Sequence, residues 1–340
     1  MLLCNTSAET DQKPSSNSIK SIAACSLMSL VFLIGAPGNI MVMWSIYRKL
    51  KNISATVLLI VNLALADFLI LLSLPIWIYT FAVNKWIFGV VFCKVLLSFI
   101  YYNLAVSLFL ITLLSIERFL AVFRPFDLQR WTKQGVFKKI TISVWIVAAV
   151  ISLHSFPFCK PNQSINPFHC ILYEYTSDTP KVIYLLLEFF FGFLIPFCII
   201  FICYTYLWRK LRKMKFVGKR KSDKIIVLVV VTFIICWIPW QIFKIMEIIS
   251  IFLHTCSLKE IGNIGVYISA PFVFINSSMN PVLYFYYAFK IKRPTIKRLN
   301  MLFENIGGIQ EEQNPVENRN AAVSTHNDCI PTVDIDVQMA

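Results

Sequence analysis

The chain has 340 residues, of which 57% are hydrophobic and only 15% are charged, and its formal net charge is +14. Soluble domains carry about 25% charged residues, so this composition and the mean hydropathy of +0.68 exclude an ordinary soluble globular protein. The apolar residues fall in long blocks separated by short charged stretches, which predicts a polytopic membrane protein. No basic stretch belongs to a soluble domain, so the charge does not indicate nucleic-acid binding.

Seven apolar blocks follow one another along the chain, and each is 19 residues or longer. A helix needs about 20 residues to cross the roughly 30 Å of hydrocarbon in a bilayer. Inside lipid the backbone must satisfy its own hydrogen bonds, so these blocks predict helices rather than strands. They cover residues 22–47, 54–84, 95–116, 140–159, 182–208, 225–243 and 261–289. We therefore expect an all-α integral membrane protein with a bundle of seven transmembrane helices, although a small transporter or channel fits the same count.

The basic residues predict the orientation of this bundle. The connections after blocks one, three and five, together with the stretch after block seven, hold 22 of the 32 lysines and arginines, whereas the opposite side holds seven. Cytoplasmic loops carry the basic excess in membrane proteins, so we expect a plasma-membrane protein with its N-terminus outside. The charge also favours contact with anionic lipids of the inner leaflet. The sequons at Asn5 and Asn162 lie on the outer side and are candidate glycosylation sites.

These patterns divide the chain into four regions. Residues 1–20 are predicted to form an extracellular N-terminus without a cleaved signal peptide, and residues 21–289 the seven-helix domain. Residues 290–304 mix basic and apolar side chains, which predicts an amphipathic helix on the inner leaflet. Residues 305–340 are polar and lack periodicity, which predicts a disordered cytoplasmic tail; Ser324, Thr325 and Thr332 are candidate phosphorylation targets there.

Five of the ten cysteines lie on the predicted outer side, so they cannot all pair within one chain. They are Cys4, Cys93, Cys159, Cys170 and Cys256. We pair Cys93, at the outer end of block three, with Cys170 in the second outer loop. Closing that loop removes unfolded-chain entropy worth roughly 4.5 kcal/mol. A bond between Cys4 and Cys256 would tie the N-terminus to the third outer loop and stays an open alternative.

Polar side chains inside the apolar blocks need a reason, because a charge at the bilayer centre costs at least about 2.5–3.5 kcal/mol. Five of them carry oxygen atoms in blocks two, three and seven: Asp67, Asn103, Ser107, Asn276 and Asn280. The members of each pair in blocks three and seven are four residues apart and share a helix face. The five side chains either bridge the helices as a hydrated polar cluster or hold a hard cation such as Na⁺. No other cofactor is expected.

A charged pair, Glu117 and Arg118, ends block three on the predicted cytoplasmic side. An acid and a base paired there can hold charges that become exposed when the helices part. An arginine that extends towards the lipid surface is the simpler alternative. Blocks five, six and seven each contain a proline that removes a backbone hydrogen bond and kinks the helix; these are Pro196, Pro239 and Pro281.

Together these motifs resemble the rhodopsin-like (class A) G-protein-coupled receptors, from about residue 22 to residue 303. Each helix contains one set of matching residues, in the order typical of the class. They are Gly38, Asn39, residues 62–67, Cys93, Glu117, Arg118, Trp145, Cys170, Pro196, Tyr204, residues 236–239 and residues 280–284. Where the class usually has Asp-Arg-Tyr, this chain has Glu117-Arg118-Phe119, which keeps the acid and loses a hydroxyl.

The resemblance implies a ligand pocket in the outer half of the bundle and a G-protein crevice in the inner half. It implies that an agonist moves the sixth helix outward about Pro239 and frees Arg118 to contact the G protein. It also implies a sodium site around Asp67, and arrestin and receptor kinases as further partners. The residues that carry the switch in the class correspond here to Glu117, Arg118, Tyr204, Asn280, Pro281 and Tyr284.

Residues in the outer halves of helices three, five and six predict the ligand. Block three has no acid between Lys94 and Glu117, which argues against an amine ligand. Lys244 can bind a ligand carboxylate, and Glu188 or Gln241 can bind a ligand hydroxyl. The aromatic side chains of the predicted site can pack against a lipid chain. An ion pair between Glu188 and Lys244 without a ligand role is the alternative. The predicted ligand-binding residues are Tyr101, Glu188, Trp237, Trp240, Gln241, Lys244 and Glu247.

In detail the chain is similar to the leukotriene B4 receptors of the chemoattractant group. The similarity is carried by Glu188 with residues 192–197, and by residues 124–126, 277–284 and 302–304. It implies a lipid agonist such as leukotriene B4 and a Gi-type G protein as transducer. A peptide chemoattractant is the alternative ligand, and a small membrane transporter is the remote alternative, although no internal repeat of the transporter kind is present. An enzyme is not expected, because the four histidines have no metal-ligand spacing and no nucleophile–base pair is apparent.

Overall fold

The structure is a computed structural model and describes residues 14–49, 54–83, 85–153, 170, 178–213 and 221–289. Every regular element among these residues is a helix, which confirms the predicted all-α class. Several predictions lie outside the described residues: the glycosylation sites Asn5 and Asn162, the regions 290–304 and 305–340, and the roles of Cys4 and Cys159.

Ten α-helices and one π-helical segment make up the described part of the chain. They are α1 (Pro14–Lys49), α2 (Ala55–Leu71), α3 (Leu74–Val83), α4 (Gly89–Phe123), α5 (Pro125–Lys133), α6 (Val136–Leu153), α7 (Asp178–Phe189), the π segment (Phe190–Leu194), α8 (Ile195–Lys213), α9 (Lys221–Leu253) and α10 (Cys256–Phe289). Block two corresponds to α2 with α3, and block five to α7, the π segment and α8. The short helix α5 occupies the basic connection after block three.

Five helical stretches of the described residues are both long and apolar enough to cross a membrane. A sixth is reached if α5 and α6, which meet at an angle of 75°, form one span. Helix α10, the seventh predicted helix, is continuous over 34 residues. Its hydropathy is lowered by residues 276–278 and Asn280, which belong to the polar layer of the site below.

Irregular backbone interrupts blocks two and five, and the sequence did not predict it. Block two breaks at Leu72 and Ser73, where the Ser73 hydroxyl donates to a backbone carbonyl at 2.7 Å. Block five contains the π segment just before Pro196. Such π turns are rare and are frequent at functional sites. Helices α9 and α10, in contrast, continue through Pro239 and Pro281, each of which removes one backbone hydrogen bond.

Two glycines let α1 pack directly on the polar stretch of α10. A Cβ added at Gly35 would lie 2.8 Å from the Cβ of Ser278, and one added at Gly38 would lie 2.8 Å from the Cβ of Pro281. Next to them, the Asn39 side-chain amide donates to the backbone carbonyl of Ser277 at 3.1 Å. Close approach of backbones and hydrogen bonds between helices are the main sources of helix association in lipid. They fix the position of α10 relative to the rest of the bundle.

The disulfide bond between Cys93 and Cys170 is confirmed, with the two Cα atoms 5.6 Å apart. Cys256 is also disulfide-bonded, and its partner is none of the other cysteines that the structure describes. The predicted bond between Cys4 and Cys256 therefore stays a prediction, because Cys4 lies outside the described residues.

Candidate functional site

The half of the bundle that the sequence predicts to face outward contains an acid and a base that face each other between α7 and α9. Lys244 Nζ lies 3.7 Å from Glu188 Oε2, and the two side chains are only 7% and 15% exposed. The indole N–H of Trp240 donates to Glu188 Oε1 at 3.4 Å, and Lys244 Nζ lies 5.2 Å from the centre of the same indole. Water screens such an enclosed pair less than it screens a surface pair. A charged ligand group at this place would therefore interact strongly with either partner.

A second ion pair joins the same two helices nearer their outer ends. Lys181 Nζ lies 2.6 Å from Glu247 Oε1, and the side chains are 18% and 10% exposed. The sequence singled out Glu247 as a ligand residue but did not single out Lys181. Lys181 and Glu188 are seven residues apart and so share a helix face, which is the signal that could have identified Lys181.

The remaining predicted ligand residues continue inward from the charged pairs. Gln241 is 2% exposed, and its amide nitrogen makes no hydrogen bond within the described part of the chain. Trp237 is buried, and its ring centre lies 5.6 Å from that of Phe233. Tyr101 is partly buried on α4. Burial of this whole face of α9 agrees with the predicted helical spacing of its ligand residues.

A polar layer crosses the middle of the bundle around Asp67, whose side chain is fully buried. The Asn280 side-chain amide donates to Asp67 Oδ2 at 2.6 Å, and the Ser107 hydroxyl donates to Asp67 Oδ1 at 3.2 Å. Helices α2, α4 and α10 thus meet at one carboxylate, as the spacing of the polar residues predicted. A buried charge requires such donors, because an uncompensated one is strongly unfavourable.

The two remaining members of the predicted cluster lie one helical turn away from this carboxylate. Asn103 precedes Ser107 by four residues on α4, and Asn276 precedes Asn280 by four on α10. Both asparagines are buried, and their side-chain oxygen atoms accept no hydrogen bond from the described residues. Together with the carboxylate and the serine hydroxyl they form an oxygen-rich donor set of the kind that hard cations prefer.

The inner end of α4 is closed by a three-residue network. Arg118 Nε lies 3.0 Å from Glu117 Oε2, which confirms the predicted pair. The Thr56 hydroxyl donates to Glu117 Oε1 at 2.8 Å, and Arg118 Nη2 donates to the same hydroxyl oxygen. All three side chains are buried. The arginine is therefore held inside the bundle and does not extend towards lipid. Thr56 of α2 is a member of this network that the sequence analysis missed.

A lysine on α8 closes the same side from another direction. Lys210 Nζ donates to the backbone carbonyl of Val122 at 2.8 Å and lies 4.4 Å from the ring centre of Phe123. The last carbonyls of a helix lack partners within the helix, so a lysine there satisfies one of them and interacts favourably with the helix dipole. This contact joins the inner ends of α8 and α4.

The predicted switch tyrosines lie in the inner core of the bundle. Tyr284 is 1% exposed, and Tyr204 is partly buried and packs against the same hydrophobic cluster. Two other motif residues join helices directly, because the Trp145 indole donates to the side-chain oxygen of Asn62 at 3.0 Å. The structure thus places Arg118 with Glu117, Tyr204 and Tyr284 in the predicted inner half and Asn280 in the middle polar layer. The predicted ligand residues Glu188 and Lys244 lie in the predicted outer half.

Comparison with known proteins supports the resemblance of the sequence to one receptor class. Residues 38–284 match the model of the 7 transmembrane receptor (rhodopsin family). The type-1 angiotensin II receptors of Bos taurus and Homo sapiens are each 34% identical to this chain over 292 residues. The receptor of Cavia porcellus is 32% identical over 290 residues. Each alignment covers 81% of this chain and 80% of the relative.

Proposed function

Because this chain belongs to the rhodopsin family of seven-transmembrane receptors, we propose that it binds a peptide outside the cell and activates a heterotrimeric G protein inside. The proposed receptor is a multi-pass protein of the plasma membrane with its N-terminus extracellular. It is not itself an enzyme for a small substrate; it accelerates nucleotide exchange on the Gα subunit. We propose a Gi-type subunit, in line with the resemblance to chemoattractant receptors, and arrestin and receptor kinases as later partners.

The observation that favours a peptide is the balanced charge of the outer pocket. The pocket contains the pair Glu188–Lys244, and the pair Lys181–Glu247 borders it. Any ligand that replaces one partner of the inner pair leaves the opposite charge buried. Leaving one member of a buried pair without its counterion is strongly destabilising. A peptide that carries a carboxylate and a basic group can engage both signs at once. The relatives named above are receptors for the peptide angiotensin II by name, which supports this choice.

A lipid carboxylate of the leukotriene B4 type is the second candidate ligand. The ammonium of Lys244 lies over the Trp240 ring, and this arrangement offers a positive charge beside an apolar wall. A monoanionic lipid would engage Lys244 but would leave Glu188 with the Trp240 indole as its one donor among the described residues. The named relatives give the leukotriene prediction no support, and we therefore place it second.

The proposed switch depends on Arg118. In the structure its guanidinium is held by Glu117 and Thr56, and a G protein can contact it only after this network opens. An agonist shifts such an equilibrium only by its different affinity for the closed and open states. The outer pocket and Pro239 lie on the same helix, α9. A movement of α9 at the outer ion pairs can therefore be transmitted along the helix to its inner end.

We also propose that the polar layer binds a sodium ion that stabilises the closed state. Asp67 would supply the negative charge, while Ser107, Asn103 and Asn276 would supply neutral oxygen atoms. The buried asparagine oxygen atoms without a described hydrogen-bond partner fit such a donor set. A bound ion would link α2, α4 and α10, and so its loss would favour rearrangement.

The proposed function is tested by measuring GDP release from purified Gα subunits of the Gi, Gq, Gs and G12 classes. The full chain is placed in lipid nanodiscs and is assayed without ligand, with angiotensin II, with a library of peptides and with leukotriene B4. We expect peptide-dependent release, largest for a Gi subunit. Release that only leukotriene B4 stimulates would establish the second candidate instead. Release from a Gq subunit and not from Gi would refute the coupling assignment alone.

A further inference from the structure

Two ion pairs connect the predicted outer parts of α7 and α9. In one pair the lysine lies on α7 and the acid on α9, and in the other pair the two are exchanged. Helix α7 carries Lys181 and, two turns further on, Glu188; helix α9 carries Lys244 and, one turn further on, Glu247. The outer pair is Lys181–Glu247 and the inner pair is Lys244–Glu188. Each helix therefore contributes one charge of each sign to these two pairs, and the antiparallel arrangement of the two helices brings opposite charges together.

These contacts are unlike ordinary surface salt bridges. Exposed ion pairs contribute little, because water and salt screen them. Here the outer pair is the shorter one at 2.6 Å, and its carboxylate side chain is only 10% exposed. Its loss would leave a largely buried charge without its counterion, which proteins tolerate poorly. The outer pair is therefore an energetically significant link between the two helices.

The outer pair lies at a position where a movement of α9 can be transmitted to the inner half of the molecule. Glu247 lies eight residues beyond Pro239 on α9, or about 12 Å along the helix. Pro239 removes a backbone hydrogen bond and weakens the helix at that point. Towards its outer end, α9 is also joined closely to α10: a Cβ added at Gly262 would lie 3.3 Å from the backbone nitrogen of Glu247. The link thus acts on a part of α9 that packs closely on α10 and lies beyond the backbone hydrogen bond that Pro239 removes.

The inner ends of α2, α4 and α8 are joined in the same structure, an arrangement that we call closed. Arg118 is bonded to Glu117 and Thr56, and Lys210 joins α8 to α4. The outer link and the closed inner network therefore belong to one state, which we call the resting state. Contacts that exist in one state and not in the other shift the equilibrium between them.

We infer that Lys181 and Glu247 are positioning residues whose ion pair holds the outer arm of α9 against α7 and thereby stabilises the resting state. The inference rests on the proposed function, because it concerns the regulation of the proposed exchange activity. The inner pair Glu188–Lys244 faces the ligand, whereas the outer pair sets how readily the arm moves. A ligand that separates α7 from α9 must break the outer pair. Without a ligand, the intact pair keeps the basal rate of nucleotide exchange low.

Charge reversal tests the inference without any ligand. GDP release from Gi is measured for the full chain in nanodiscs and for Lys181→Glu, Glu247→Lys and the double reversal. We expect each single reversal to raise basal release at least about fivefold, the lower end of usual coupling factors, and the double reversal to restore the low rate. Conservative Lys181→Arg should also keep the low rate. Unchanged or lower release in both single variants, or a double reversal that stays high, would overturn the inference.

Two matched controls separate the link from general effects of surface charge. Lys259 and Glu260 lie exposed near the start of α10, on the same predicted side of the membrane. Lys259→Glu and Glu260→Lys make the same charge changes and should leave basal release unchanged. An increase in these variants as large as that in Lys181→Glu would mean that net outer charge, and not the specific pair, controls the rate, and would overturn the inference.

A distance measurement tests the same inference independently of any G protein. Spin labels are attached at Ile183→Cys on α7 and Phe252→Cys on α9, both exposed, in a chain whose exposed Cys198 is replaced by serine. We expect Glu247→Gln to broaden the distance distribution and to shift it away from that of the parent chain. An identical distribution would overturn the inference even if exchange is observed. A chain that shows the shift but never stimulates any Gα would refute the proposed function and leave the mechanical link standing.

Discussion

Replacing Thr56 with valine should turn on the receptor in the absence of ligand. The Thr56 hydroxyl donates to Glu117 and accepts from Arg118, so one side chain of α2 bridges the charged pair at the end of α4. Valine has nearly the same shape but makes neither bond. Both bonds exist in the closed state, and release of Arg118 breaks at least the second. The substitution therefore raises the free energy of the closed state more than that of the open state.

The size of the effect follows from the kind of bond that is lost. Hydrogen bonds to charged groups contribute about 1.5–3 kcal/mol, and about 1.4 kcal/mol corresponds to a factor of ten. Loss of one such contribution from the closed state shifts the equilibrium roughly 10- to 150-fold. If the open state is initially about 1% populated, its population rises to about 10% or more. Basal exchange should then increase by about tenfold at least.

The assay is basal GTPγS binding to Gi, measured with equal amounts of purified receptor in nanodiscs. Thr56→Ser keeps the hydroxyl and should stay close to the parent rate. Thr112→Val is the matched control, because the buried Thr112 hydroxyl donates to the Leu108 carbonyl of its own helix, at 2.9 Å. The same basal rate in Thr56→Val as in Thr56→Ser would refute the proposed restraint of Arg118.

Four further substitutions test separate parts of the proposed mechanism. Arg118→Ala should abolish ligand-stimulated exchange while cell-surface antibody staining stays normal, and full signalling would remove the assigned role. Lys244→Ala should weaken binding of an anionic agonist at least about tenfold and that of its amidated, neutral form much less, in competition assays; equal losses would make Lys244 a structural partner. Asp67→Asn should remove the effect of replacing sodium with N-methylglucamine on basal exchange, and a persisting sodium effect would place the ion elsewhere. Gly38→Leu should lower the thermal midpoint of the purified chain, because overpacking costs about 1–3 kcal/mol and Pro281 leaves no room; an unchanged midpoint would mean that α1 is free to shift.

The helices and the buried polar layer could be predicted because each depends on spacing along one chain segment. Apolar length predicted the membrane helices, and the separation of four residues placed Ser107 and Asn280 on inward faces. Asp67 is the only charge of its apolar block, so its need for partners was evident from the sequence. The structure supplies those partners from α4 and α10, as expected for a buried carboxylate.

The partners that join different helices could not be predicted in the same way. Thr56 carries no signal in its own segment, because a threonine near a helix end is common and has many explanations. Lys181 carries only a weak one, the spacing of seven residues from Glu188. Their roles depend on the rotation and depth of neighbouring helices, which periodicity does not determine. The π segment before Pro196 is a further example, since its wider turn shifts the faces of α7 and α8 relative to each other without leaving a clear sequence pattern.

The ligand was the least predictable feature, for a physical reason. The sequence identified Glu188 and Lys244 as opposite charges, but it could not show that they face each other at 3.7 Å beside a second pair. A single unpaired lysine favours an anionic lipid, whereas two balanced pairs favour a ligand with both charges. The two pairs therefore support the proposed peptide ligand, while the predicted ligand residues stay the same.

The most direct measurement is the rate of GDP release from purified Gα subunits in the presence of the purified full-length chain. We predict that at least one subunit, foremost of the Gi class, releases GDP faster with this chain and a peptide agonist than with the Arg118→Ala variant. If no subunit responds to any peptide or to leukotriene B4, although the chain is folded and reaches the cell surface, then the proposed exchange activity is wrong.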